Sequence, residues 1–293
     1  MSALVAFSIT VESGSFSSAG RKLGLSASAV GKAVDRLEQR LGVTLLNRTT
    51  RSLSLTGEGD VLYRHARRVL VELQHAEEAL HLVQKTPRGR LKVSVPTVLG
   101  RRVVVPAMRE FMDRYPEIVI DLSLDDVKVD LIDGGYDLAI RLGELEDSDL
   151  RARVIGPHSF ITCASPEYLS KHGAPRSTAD LVQHCCIQYR FPTTGRPEIW
   201  AFKNQQPPLT LKRVLVLNDG ESLASAALAG IGIIQAPRYL VRDDVTNGRL
   251  ISVLTDCTDV RGNVSIVWPS GRSKMPRVRA FVEFISQRLA EKI

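Results

Sequence analysis

Two cations in the 293-residue chain, Lys32 and Arg36, lie one helical turn apart behind a run of small residues, Ser26-Ala27-Ser28-Ala29. With about 100° per residue and Val34 as origin, Val30, Val34, Leu37 and Leu41 form one apolar stripe. Ser28, Ala29, Lys32, Asp35, Arg36 and Gln39 share the opposite face. Such a helix suits the major groove of DNA, because its bare leading end can approach base edges while Lys32 and Arg36 reach phosphates. Ala27 and Gly31 leave further room. The other reading of this segment alone is an ordinary amphipathic surface helix.

"LLNRTTRSLSLT" (45–56) alternates Leu53 and Leu55 with polar residues after a turn, the pattern of a small hairpin carrying Arg48 and Arg51. A hairpin there could touch the neighbouring DNA backbone or minor groove. Ser17, Ala27, Ser28, Gly31, Lys32, Arg36, Arg48 and Arg51 are therefore the candidate DNA contacts. The charge agrees: the chain is +7 overall, and residues 1–90 carry 13 Lys/Arg against 8 Asp/Glu.

Catalytic patterns are missing. The chain contains no HExxH, GxSxG or GxxxxGK[ST], and "GIGIIQ" (230–235) lacks a third glycine and precedes a strand. The six histidines show no ligand spacing and the four cysteines no CxxC, so no metal, cofactor or enzyme activity is expected. Vicinal Cys185-Cys186 could sense redox state, or simply be two partly buried thiols. There is no apolar run of membrane-spanning length and no basic leader, so a cytoplasmic protein without membrane contact is expected.

These residues need positioning elements. A helix over 3–12, a short helix capped by Ser17 and running to Leu23, a break at Gly24-Leu25, and a helix capped by Ser26 make a helix-turn-helix. From Thr56 to about Gln84 a long helix spaces Leu62, Ala66, Val69, Leu73, Ala76, Leu80 and Val83 in heptads. That period favours a coiled-coil partner, with Leu62, Val69, Leu73 and Leu80 as dimerisation contacts. The alternative is one packed amphipathic helix. "KTPRGR" (85–90) is a hinge-like break. Beyond it strands alternate with helices, including one at 99–114 and a short one at 127–135, so an α/β domain with largely parallel sheets is predicted.

The string "SFSSAGRKLGLSASAVGKAVDRLEQRLGVTLLNRTTRSLSLTGEG" (15–59) resembles the LysR-type transcriptional regulators in its order of helix-turn-helix, LE-x-x-LG, LL-x-R wing and LT-x-x-G. "RLKVSVPTVLG", "YDLAIRLGEL", "CASPEYLSKHG", "LNDGESLASAALAGIGIIQAP" and "GRLISVL" extend the likeness along the chain. Two departures stand out: Gly31 where Ser is frequent, and Gly20 where Ala is common. The resemblance implies an N-terminal winged helix-turn-helix (1–58), a linker dimerisation helix (59–86) and a two-lobed, periplasmic-binding-protein-like α/β effector-binding domain (87–293). Lobe I would comprise 91–162 and 268–293, and lobe II 163–267. It further implies double-stranded promoter DNA as partner, a homodimer or homotetramer, and a small-molecule effector. RNA polymerase is a candidate partner of any such promoter-bound protein.

Ligands of open α/β sheets bind beyond strand carboxyl ends, at helix starts. At "VPTVLG", Thr97 and the amides of Val98 and Leu99 could hold a carboxylate or phosphate, and Arg141 could grip an anion. Asn218 and Asp219 end another strand. The resemblance adds Leu124, Asp125 and Gln235 to this effector-binding set. The plainer readings are N-caps at Thr97 and Asp219 and an ion pair from Arg141 to Asp125 or Asp126. A solute-binding protein is the main rival for residues 91–293, and an α/β enzyme the other; the basic first 90 residues argue against the former.

Overall fold

A computed structural model describes residues 2–48, 53–80, 86–145, 149–203 and 211–293. The predicted α + α/β class is observed. Two units are present, Met1–Lys85 with Asp130–Gly135, and Thr86–Val129 with Tyr136–Ile293.

In the first unit, α1 (Ser2–Ser13), α2 (Phe16–Leu23) and α3 (Ala27–Leu41) precede β1 (Leu46–Arg48), β2 (Leu53–Leu55) and α4 (Gly57–Leu80). Phe7, Val30, Val34 and Leu37 pack together with Leu45 and Leu46, so the stripe on α3 is the core face as far as Leu37, whereas Leu41 in the last turn is 44% exposed. Ser15, not Ser17, caps α2: its hydroxyl accepts from the Ser18 amide at 3.1 Å. The backbone is extended at Ser15 and already helical from Phe16, so Ser17 lies within the first turn of α2. Gly20 lets α2 press on the turn, since a Cβ there would lie 2.6 Å from the Leu25 carbonyl oxygen. β1 and β2 pair antiparallel as the wing.

The second unit begins with β3 (Gly89–Val95), α5 (Thr97–Leu99), a π-helical segment Gly100–Val104 and α6 (Val105–Arg114). Next come β4 (Ile118–Leu124), β5 (Leu138–Gly143), β6 (Leu150–Ala164) and α7 (Pro166–His172). β7 (Cys186–Tyr189), β8 (Arg213–Leu217), α8 (Gly220–Leu228), β9 (Ile234–Pro237) and α9 (Arg238–Thr246) lead to β10 (Ile251–Ser252), β11 (Val260–Pro269) and α10 (Pro276–Lys292). The main sheet runs β10-β6-β11-β5-β3-β4, with β9 also on β6. It is mixed rather than largely parallel: β3 is parallel to β4 and β5, whereas β11 is antiparallel to β5 and β6. Two long strands cause this. β6 pairs β11 through its first part and β9 and β10 through its last, so one strand serves both halves of the unit. Residues 131–135 form turns rather than the predicted helix; Asp130 accepts the amides of Ile132 and Asp133 and closes them locally.

Candidate functional site

On the first unit, the Ser26 hydroxyl caps α3 by accepting the Ala29 amide at 3.1 Å. This fixes the leading end with Ser28 exposed and Ala27 half-buried. Lys32 and Arg36 are exposed one turn on, and nothing lies within 4 Å of where a Gly31 Cβ would sit. Ser17 is exposed on α2. Arg48 is differently engaged. Its guanidinium pairs with Asp35 at 2.7 Å and Glu38 at 2.9 Å and lies 5.0 Å from the Phe16 ring centroid. Glu38 also accepts the amides of Leu45 and Leu46, at 2.7 and 3.1 Å. Arg48 and Glu38 thus tie the wing to α3. Arg51 lies outside the described residues.

The heptad positions divide. Leu62 joins the core of its own unit, beside Tyr63, whose ring meets Phe7 edge-on at 6.4 Å. Val69 is 53% exposed and Leu73 half-buried. The Leu80 side chain lies outside the description.

In the second unit a cleft of about 530 Å³ opens between the two halves. Val98, Asp125 and Arg141 line it, and so do Asp126, Lys128, His158, Phe160, Tyr189, Phe191, Glu198, Gly220, Tyr239 and Arg261. Strand alternation brings His158 and Phe160 to one face of β6. The other predicted residues stand elsewhere. Leu99 is fully buried, and Leu124 covers Gly100, where a Cβ would meet Leu124 Cδ2 at 2.4 Å. Asn218 is exposed. Asp219 caps α8, accepting from the Ser222 amide and hydroxyl, each at 2.7 Å, and these bonds hold its carboxyl below the usual range. Gln235 is buried, bonded to the Ala201 amide and carbonyl and to the Thr162 hydroxyl. Pro96, not Thr97, occupies the N-cap of α5, and the Thr97 amide already donates to Asp126 Oδ1 at 2.8 Å.

Arg141 pairs with neither Asp125 nor Asp126. It donates to the Ser94 hydroxyl at 3.2 Å and the Val129 carbonyl at 3.1 Å, and burial lowers its pKa. Arg261 meets Glu198 at 2.8 Å; burial pushes the Glu198 carboxyl up against the pull of Arg261. Burial, and then Arg261, push His158 down to about 4, so its imidazole is neutral at pH 7. The Tyr189 hydroxyl reaches Asp126 Oδ2 at 3.4 Å, linking the two walls. Gly220 permits the close approach of Val98, since a Cβ would lie 2.7 Å from Val98 Cγ2.

Sequence reasoning missed most of the aromatic wall. The period-two spacing of His158 and Phe160 in a segment read as extended was one usable signal. Phe191, Tyr239 and Arg261 carried none, being distant in sequence. The thiols of Cys163 and Cys186 are buried and raised to about 12, which leaves little nucleophilic thiolate.

A winged helix-turn-helix joined in one chain to a two-halved α/β unit with a lined cleft is the architecture of a helix-turn-helix transcriptional regulator with a substrate-binding-type domain. The chain belongs to the LysR family of transcriptional regulators. Residues 1–60 match the bacterial regulatory helix-turn-helix protein, lysR family, and residues 84–290 match the LysR substrate binding domain. The chain is similar to the HTH-type transcriptional regulator CrgA of Neisseria meningitidis serogroup B, 39% identical over 99% of this chain and 97% of that one. It is 33% identical to the HTH-type transcriptional regulator DmlR of Escherichia coli K12, over 97% and 93% of the two chains. The solved structure of Neisseria meningitidis CrgA aligns with TM-score 0.64 and 39% identity over 99% and 98% of the chains. That of the Vibrio cholerae virulence activator AphB aligns with TM-score 0.63 and 28% identity, over 97% of each. The relatives are transcriptional regulators rather than enzymes. No described helix is long and apolar enough to cross a membrane.

Proposed function

We propose that this regulator binds promoter DNA as a dimer or tetramer through Ser28, Gly31, Lys32 and Arg36, and that a small anion in the cleft changes that binding. The proposed division is 1–58 for DNA, 59–86 for dimerisation and 87–293 for the effector, with the protein at work in the cytoplasm. RNA polymerase remains a candidate partner at the promoter. The observation that carries the effector reading is Arg141, a half-buried guanidinium in the cleft held only by neutral acceptors among the described residues. The DNA reading rests on the exposed, capped start of α3. Val69 and Leu73 support pairing through α4, while Leu62 serves its own unit's core.

A gel shift with DNA upstream of the gene, titrated with salt, tests the DNA reading. Site-preferring binding that weakens with salt is expected. Lys32→Ala weakens binding and lowers the salt slope by about one, with the melting temperature unchanged. Binding unchanged in Lys32→Ala would show that Lys32 does not face DNA.

A further inference from the structure

The charges and rings around the cleft narrow the class of ligand, granted the reading that an anion binds there. Three carboxylates line it, and each already has a partner. Glu198 holds Arg261 at 2.8 Å. Asp125 accepts the Val127 amide at 2.8 Å. Asp126 accepts the Thr97 amide at 2.8 Å and the Tyr189 hydroxyl at 3.4 Å. The start of α5, the natural place for a ligand's carboxylate, is therefore filled by the chain's own. Arg261 is neutralised by Glu198. Arg141 has only Ser94 and the Val129 carbonyl, and no carboxylate within 4 Å among the described residues. A half-buried guanidinium without a counter-ion favours one planar carboxylate. Lys128, the third cation of the lining, is already engaged within the chain, and a second anionic group near the α5 start would meet Asp125 and Asp126.

Beyond these charges the lining carries several rings, alongside Pro96, Val98, Leu142, Thr193 and Thr194. Phe160 lies against the Arg261 guanidinium at 4.9 Å, so one ring face is taken. Tyr189 and Phe191 meet edge-on at 5.5 Å, and Phe191 is 40% exposed at the cleft. Tyr239 is buried and stacked on His158 at 5.9 Å. Tyr189, Phe191 and Tyr239 all line the cleft, and their apolar surface suits contact with a flat ring. A volume of about 530 Å³ admits more than a single ring.

We propose that the cleft selects an aromatic monocarboxylate, its carboxylate on Arg141 and its ring system among Tyr189, Phe191 and Tyr239. Asp126 is a tethered carboxylate that closes the α5 start to a second anionic group.

Calorimetry on the full chain tests this with a matched set: 2-naphthoate, naphthalene-2-carboxamide, naphthalene-2,6-dicarboxylate, hexanoate and adipate. The expected order has 2-naphthoate at least tenfold tighter than each of the others. In Arg141→Gln the preference for naphthoate over its amide disappears; Arg141→Lys, which keeps the charge, retains part of it and serves should the Gln variant melt early. In Asp126→Asn the dicarboxylate gains relative to 2-naphthoate. If the dicarboxylate, hexanoate or adipate binds as tightly as 2-naphthoate, this inference is overturned while the anion reading stands. If the neutral amide binds as tightly, or no anion binds, both are overturned. A naphthoate preference that survives in both Arg141 variants likewise overturns the assignment to Arg141.

Discussion

Gly31 is open on every side that a Cβ would enter. Gly31→Ser therefore costs no packing and stabilises α3 by about 0.5 kcal/mol through helix propensity. A denaturation midpoint equal to or slightly above the parent's is expected, so any change in DNA affinity reports the groove-facing surface itself. His158 makes a different prediction. Its folded pKa, about 4, lies below the ordinary 6.5. The unfolded chain therefore binds the extra proton first as pH falls. The stabilisation is fully present above pH 6.5 and lost towards pH 4, with about 2 kcal/mol gone by pH 5. Thermal melts of the parent and His158→Gln at pH 7.5 and 5 check this: the parent should lose more stability than the variant on acidification. Arg48 shows the limit of reading single residues. Its type and place on a wing suggested a phosphate contact, yet Asp35 and Glu38, ten or more positions away in sequence, engage it. A contact of that kind leaves no periodic mark.

Between elements, the wing hangs on a few backbone contacts. Glu38 accepts two amides of the segment entering β1 and also holds Arg48. Glu38→Ala leaves those amides without their acceptor and should destabilise the first unit by about 1–3 kcal/mol. Gly59 sits where a Cβ would lie 2.0 Å from the Leu45 carbonyl oxygen, and its amide donates to the Thr56 hydroxyl at 2.9 Å. The LT-x-x-G string is thus a helix cap followed by a close crossing. Gly59→Ala should lower the unfolding midpoint of this unit, whereas Gly31→Ala should leave it equal or raise it, as urea denaturation followed by circular dichroism would measure. Helices α1 to α4 were legible because apolar spacing and turn residues are local signals, although the α2 cap fell on Ser15 rather than Ser17. The mixed sheet was not, because the antiparallel pairing of β11 with β5 and β6 depends on strands that are more than a hundred residues apart.

Across the whole molecule, assembly and response depend on residues that serve different purposes within one periodic seam. Val69→Asp should lower the mass measured by light scattering while the melting temperature holds, whereas Leu62→Asp should unfold the first unit. The existence of a cleft at strand ends could be read from the α/β order. Its walls could not, since β6, the 191–194 turn, α9 and β11 bring Phe160, Phe191, Tyr239 and Arg261 together from distant parts of the chain. Regulation requires the ligand to bind two arrangements of the protein unequally, so that ligand and DNA change each other's affinity by the same factor. The most direct measurement is therefore fluorescence anisotropy of labelled upstream DNA against the full chain, with and without 2-naphthoate. The account predicts salt-sensitive, site-preferring binding whose affinity shifts on adding the carboxylate, and no shift in Arg141→Gln. Equal binding to unrelated DNA, or a site affinity that the anion set leaves unmoved, would contradict it.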